Sequence, residues 1–74
     1  MAVEYLGLSS LNGPLAVLEG VSGASYDEIV EMTVDGKEKK LGRIIEAYED
    51  KAVIQVFEST GNMALKNTHT RLTG

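Results

Sequence analysis

Apolar and polar residues alternate in short runs along this chain, and turn signals separate the runs about every 8 to 12 residues. The clearest run is Glu28 to Val34, where Val30, Met32 and Val34 alternate with Glu31 and Thr33. A period of two is the signature of a strand with one face buried. Ala52 to Phe57 reads Ala-Val-Ile-Gln-Val-Phe, a run rich in β-branched residues. Tyr5 to Leu11 reads as one strand with Leu6 and Leu8 on one side, and Pro14 to Glu19 carries Leu15, Ala16, Val17 and Leu18. Lys39 to Tyr48 and the more polar Thr68 to Thr73 complete the set.

Between these runs lie residues suited to reversing the chain. Asn12-Gly13-Pro14 combines a pair that tolerates positive φ with a proline whose fixed φ opens the next segment. Asp35-Gly36 is a tight hairpin signal. Gly13, Pro14, Asp35 and Gly36 are therefore the structural turn residues this reading singles out. Further breaks fall at Gly20 to Ser25, Glu49-Asp50-Lys51 and Ser59 to Asn62. One stretch is ambiguous, because Leu41, Ile44, Ile45 and Tyr48 also stand at helical spacing. Gly42 and the flanking hairpin signals favour a strand there.

About six short strands joined by turns predict an all-β fold. A small chain gains from closing its sheet, because closure removes the exposed edges that invite aggregation. The expected architecture is thus a closed six-stranded antiparallel β-barrel, with Val30, Met32, Val34, Ile54 and Val56 in its core.

Length and charge narrow the possibilities. Seventy-four residues make one domain, taken as 1–74. The absence of cysteine excludes a disulfide framework and a thiolate metal cluster and favours an intracellular compartment. No apolar run approaches the ~20 residues of a membrane helix, so no direct membrane insertion is expected. The opening Met-Ala-Val-Glu-Tyr lacks the pattern of a secretory signal. The net charge of −4 and the scatter of Lys37, Lys39, Lys40, Arg43, Lys51, Lys66 and Arg71 among acids read as a solvated surface. Nucleic-acid binding calls for a basic face, so no nucleic-acid partner is expected.

No catalytic, cofactor-binding or metal site emerges. His69 stands without a second histidine or a cysteine, short of the three or four ligands of a zinc site. The acid pairs Asp27-Glu28 and Glu49-Asp50 sit at turns, where carboxylates are well solvated. Gly36-Lys37 is followed by Glu38, which fails the phosphate-loop pattern. Tyr5, Tyr26, Tyr48 and Phe57 are dispersed, and core or rim packing is the role expected of each. Leu15 to Leu18 and Ala52 to Ile54 are apolar on both faces, which points either to scattered surface aliphatics or to an assembly patch.

Five segments in register carry a resemblance: Asn12 to Val21, Tyr26 to Glu31, Leu41 to Glu46, Asp50 to Glu58, and Leu65 to Thr68 continuing through Leu72 to Gly74. Together they resemble the amino-terminal domain of the non-catalytic B subunits of V-type and archaeal A-type rotary ATPases. The tail Leu65-Lys66-Asn67-Thr68 favours that group over the catalytic A subunits. Subunits of related rotary or secretion ATPases share parts of the pattern. Outside the resemblance, the other reading is a free-standing small barrel for an oligonucleotide or peptide. The resemblance implies a closed six-stranded barrel that joins neighbouring A and B subunits in a crown ring, with no activity alone and no cofactor. It further implies an isolated domain that is monomeric or weakly associating, in a cytoplasmic head peripheral to the membrane. The parent complex would be an ion-transporting ATPase, and its nucleotide-binding domain would begin after Gly74. The family usually reads Phe-Glu-Gly-Thr-Ser-Gly where this chain has Phe57-Glu58-Ser59-Thr60-Gly61-Asn62. Asn62 is a residue type that can adopt positive φ where a glycine would sit, which would let the turn survive the exchange.

Overall fold

The computed structural model describes residues 3–73. Met1, Ala2 and Gly74, which the sequence reading used at the two ends of the chain, lie outside the described residues. Seven strands follow one another: β1 (Val3–Leu6), β2 (Ser10–Asn12), β3 (Leu15–Glu19), β4 (Ile29–Val34), β5 (Glu38–Ala47), β6 (Lys51–Val56) and β7 (Thr68–Leu72). They form one antiparallel sheet in the order β1-β7-β4-β5-β6-β3-β2, curled into a half-barrel. The described residues contain no helix.

The expectation of all-β architecture holds, but the strand count is seven and not six. The extra strand arises where Tyr5 to Leu11 was read as one. Gly7 takes φ +77 and breaks that run, just after its amide makes the last bond of the β1–β7 register, to Thr68 O at 2.8 Å. The break also separates Leu6 and Leu8, expected on the same side. Leu6 is 76% exposed, whereas Leu8 is buried. Consequently β1 and β2 stand at opposite ends of the pairing order, although only residues 7–9 lie between them in the chain.

Alternation decides which side chains enter the core. On β3, β4 and β6, the inward positions are Ala16, Leu18, Val30, Met32, Val34, Ala52, Ile54 and Val56, all buried. The five predicted core residues are among them. From β7, Thr68, Thr70 and Leu72 point inward as well, and the loops contribute Leu8, Val21 and Met63. Thr70 Oγ1 is buried without a hydrogen-bond partner among the described residues.

The ambiguous stretch is strand β5 up to Ala47. Ile44 pairs with Ile54 and Glu46 with Val53, so Ile45 is the extra residue of a β-bulge. The bulge shifts the phase of alternation within the strand. That phase shift is why Leu41, Ile44, Ile45 and Tyr48 imitate a helical repeat.

Among the described glycines, Gly42 has the tightest surroundings. A Cβ there would lie 2.7 Å from Ile54 Cγ2 and 2.9 Å from the backbone oxygen of Gln55. The strand residue opposite, Val56, and the neighbouring Val30 are both buried, so little space exists for the sheet to yield. Gly42→Ala is therefore expected to lower stability by about 1–3 kcal/mol, as overpacked cores do. Gly61→Ala serves as the control, because its Cβ would meet nothing nearer than Ser59 Oγ at 3.5 Å. Urea unfolding of the two variants checks the contrast, and equal midpoints would refute it.

Candidate functional site: the outer wall and the ends of the sheet

The turn residues singled out from sequence occupy two hairpins. Gly13 has φ +60 in the β2–β3 connection, and the Pro14 carbonyl accepts a hydrogen bond from the Val56 amide at 2.8 Å. Asp35 (φ +55) and Gly36 (φ +68) are the central pair of a turn closed by Lys37 N–H on Val34 O at 3.0 Å. Two successive positive φ values define a type I′ turn, whose twist matches that of the flanking strands.

The sheet has two distinct ends. One gathers the β3–β4 and β5–β6 connections. There Asp50 O accepts from the Gly20 and Val21 amides, and the bulge residue's neighbour Ile44 exchanges backbone hydrogen bonds with Asp27 and Glu28. Asp27 holds φ +71 and its carboxylate lies 3.4 Å from Arg43. The acid pair at 49–50 is exposed at the β5–β6 turn, as expected of solvated carboxylates. Next to it, Tyr48 Oη donates to Glu46 Oε1 at 2.7 Å, and Lys51 Nζ sits 5.1 Å from the centre of the Tyr48 ring.

The other end gathers the β2–β3 and β4–β5 turns and the 57–67 loop. Thr60 Oγ1 donates to Gly13 O at 2.8 Å, and the Asp35 amide donates to Asn67 O at 2.9 Å. Two residues at this end differ from what their sequence context suggests. Lys40, taken as one of several solvated bases, is 4% exposed. It occupies an inward position of β5, opposite Met32, and its Nζ reaches Ser59 O and the Glu38 carboxylate. Asn62 does not take positive φ. Its side-chain amide donates to Glu38 Oε1, and its carbonyl accepts from the Asn67 side chain. A side-chain tether thus stands where the residue type also allowed a backbone role.

Of the aromatic residues, only Tyr5 packs against the core, whereas Tyr26, Tyr48 and Phe57 are more than half exposed. Phe57 stands on the outer wall next to Leu41, whose carbonyl accepts its amide at 2.9 Å. Leu15 lies on the same wall, opposite Gln55 on β6. Leu15, Leu41 and Phe57 are the apolar members of an outer strip across β3, β6 and β5 that also carries Gln55 and Arg43, each of the three at least 37% exposed. Val17 and Val53, half-buried and paired with each other, extend it. Apolarity on both faces of β3 and β6 was the sequence signal for this strip. Leu41 and Phe57 carried no separate signal.

His69 is half-buried on β7, across from Leu6 and Thr33. No group of three or more metal-ligating side chains occurs among the described residues. Among the described residues no helix is long and apolar enough to cross a membrane.

Residues 8–68 match the family model described as the beta-barrel domain of the ATP synthase alpha/beta family. The chain belongs to that family. Over its whole length it is 51% identical to the V-type ATP synthase beta chain of Thermotoga neapolitana. It is likewise 53% identical to V-type ATP synthase beta chain 2 of Clostridium tetani. The chain spans 16% of the length of each of these relatives.

The Tyr48 phenol is held above its usual pKa of 10.0, first by its hydrogen bond to Glu46 and then by the carboxylate's charge. A raised phenol pKa favours the folded state at pH below the unfolded tyrosine value. That contribution fades as pH rises through the folded value. Glu46→Gln is expected to return the Tyr48 titration toward 10.0. Ultraviolet titration of tyrosinate, with Tyr48→Phe to assign the signal, checks this, and an unmoved curve would count against the contact.

Proposed function

We propose that this domain is the assembly element of a non-catalytic B subunit in a V/A-type ATP synthase or ATPase, with no activity of its own. In that role residues 1–74 form one domain, and β1 and β2 act together as a single bent strand. Its first half pairs with β7 and its second with β3, giving six staves in a closed barrel. The backbone supports this reading, since Gly7 N–H donates to Thr68 O and Ser9 N–H donates to Val17 O, both at 2.8 Å. One short segment therefore bonds to both sides of the remaining five-stranded sheet. Gly13, Pro14, Asp35 and Gly36 then serve to hold the hairpins at the correct length.

Six such barrels, alternating between A and B subunits, would make the crown ring that holds the soluble ATPase head together. The head, peripheral to the membrane on its cytoplasmic side, couples ATP to proton or sodium ion transport. The observation that carries this reading is the outer strip of Leu15, Leu41 and Phe57 in a domain whose relatives are V-type ATP synthase beta chains. Apolar groups gathered on one wall gain most when a neighbouring subunit covers them.

Replacing Leu41 and Phe57 together by Asp in the full-length subunit tests the assignment. Both side chains are exposed, so the β-type circular dichroism spectrum should persist. Incorporation into the head, followed by size-exclusion chromatography with light scattering, is expected to fall by about tenfold or more, as for hot-spot residues. Unchanged assembly would overturn the role given to this wall.

A further inference from the structure

The 57–67 loop is the longest connection on its end of the sheet, and its attachments differ from those of the strands. Its two ends are tied to the sheet, with Phe57 N–H donating to Leu41 O, Leu8 N–H to Leu65 O and Asp35 N–H to Asn67 O, each at 2.9 Å. Thr60 Oγ1 donates to Gly13 O at 2.8 Å, whereas the remaining bonds of its middle are mostly local. Met63 N–H donates to Thr60 O at 3.0 Å, Ala64 N–H donates to Asn67 Oδ1 at 2.7 Å, and Gly61 N–H donates to Ser59 Oγ at 3.3 Å. Within it Met63 alone is a buried apolar side chain. Methionine is unbranched and adaptable, so it fills a gap without fixing a single geometry. Few buried apolar contacts and many local polar ones mark a segment that opens apart from the whole.

Two inward side chains of β5 grip this loop. Lys40 Nζ donates to Ser59 O near the loop's start, and it lies 3.5 Å from Glu38 Oε2. The other oxygen of Glu38 accepts from Asn62 at the loop's middle. Glu38 is half-exposed at the rim, while Lys40 is buried. A buried ammonium left without partners is strongly unfavourable, so Lys40 is stable in place only while Glu38 and Ser59 remain in reach. The carboxylate thus joins the buried cation to the exposed loop.

We propose that Glu38 and Lys40 form a latch holding residues 58–64 as a separately opening cap over one end of the sheet. The cap opens by releasing Asn62 and Ser59 together with the exposed Thr60–Gly13 bond and exposes Met63 and the inner ends of β5 and β7. The sheet itself stays paired, because the bonds of Phe57 to Leu41, Leu65 to Leu8 and Asn67 to Asp35 anchor the loop on either side of the part that opens. β7 leaves this end and runs to Leu72 at the opposite one, so opening of the cap does not pull on the chain beyond Leu72.

Amide hydrogen exchange on the 74-residue chain tests the latch, with Met63 and Ala64 reporting the loop and Met32 and Ile54 reporting the sheet. Glu38→Ala is expected to speed exchange at the loop amides by about tenfold or more, the factor that follows from losing hydrogen bonds to a charged group. The sheet amides should stay within about twofold of the wild type. Lys40→Met, which removes the buried charge, should also free the loop. Adding Glu38→Ala to Lys40→Met should then add much less than it does alone. Asn62→Ala removes only an exposed tether and keeps the test valid if Glu38→Ala fails to fold; it should speed loop exchange by a few fold. Loop amides that remain unchanged would overturn the latch. So would loop and sheet amides accelerating together, because the cap would then have no opening of its own.

Discussion

A short chain with one core depends on keeping one face of its sheet dry. Folding at this size hides only about 60% of the surface the unfolded chain exposes, so nearly all the available stabilisation comes from one inward row. Ala16, Leu18, Val30, Met32, Val34, Ile44, Ala52, Ile54 and Val56 supply that row from four strands. The curvature that brings them together demands close strand approach, and Gly42 marks the place where no side chain fits. The bulge at Ile45 adds curvature on the same strand, where β5 turns from the inward row toward the exposed hairpin at Tyr48.

Much of this was legible in the sequence because alternation is a local signal. The strand centres of β3 through β7 fall inside the runs read from apolar spacing, and the five expected core residues are buried. The misreadings have specific physical origins. Gly7 breaks a run whose residue types are otherwise strand-like, and one residue's positive φ sends Leu6 and Leu8 to opposite environments. Thr68 and Thr70 are fully buried although they read as polar. For Thr68 the hydroxyl lies 3.0 Å from Ala64 O, a bond that only the folded loop provides.

The outer strip and the loop contacts were partly or wholly hidden for the same reason. Leu15 and Val17 are apolar at outward positions, and a strand apolar on both faces announces a second use. Phe57 and Leu41 meet only because β5 and β6 pair in one register. Lys40 carries no sequence mark that separates it from Lys39, yet the pleat sends one to solvent and the other inward. Its partners come from 19 residues downstream at Ser59 and from Glu38 on the same strand. In this barrel domain of the ATP synthase alpha/beta family, the two faces are divided. The inner face holds the buried core, and the outer wall carries the exposed apolar side chains Leu15, Leu41 and Phe57.

Closure of the sheet by residues 3–12 is the claim on which that division rests. Nuclear Overhauser contacts in the monomer measure it most directly. Closure predicts that Leu6 meets His69 and Leu11 meets Ala16 within the same molecule, matching the two registers at the sheet's ends. If this segment touches only one edge, or reaches the second edge only across two chains in isotope-filtered spectra, the closed barrel is contradicted.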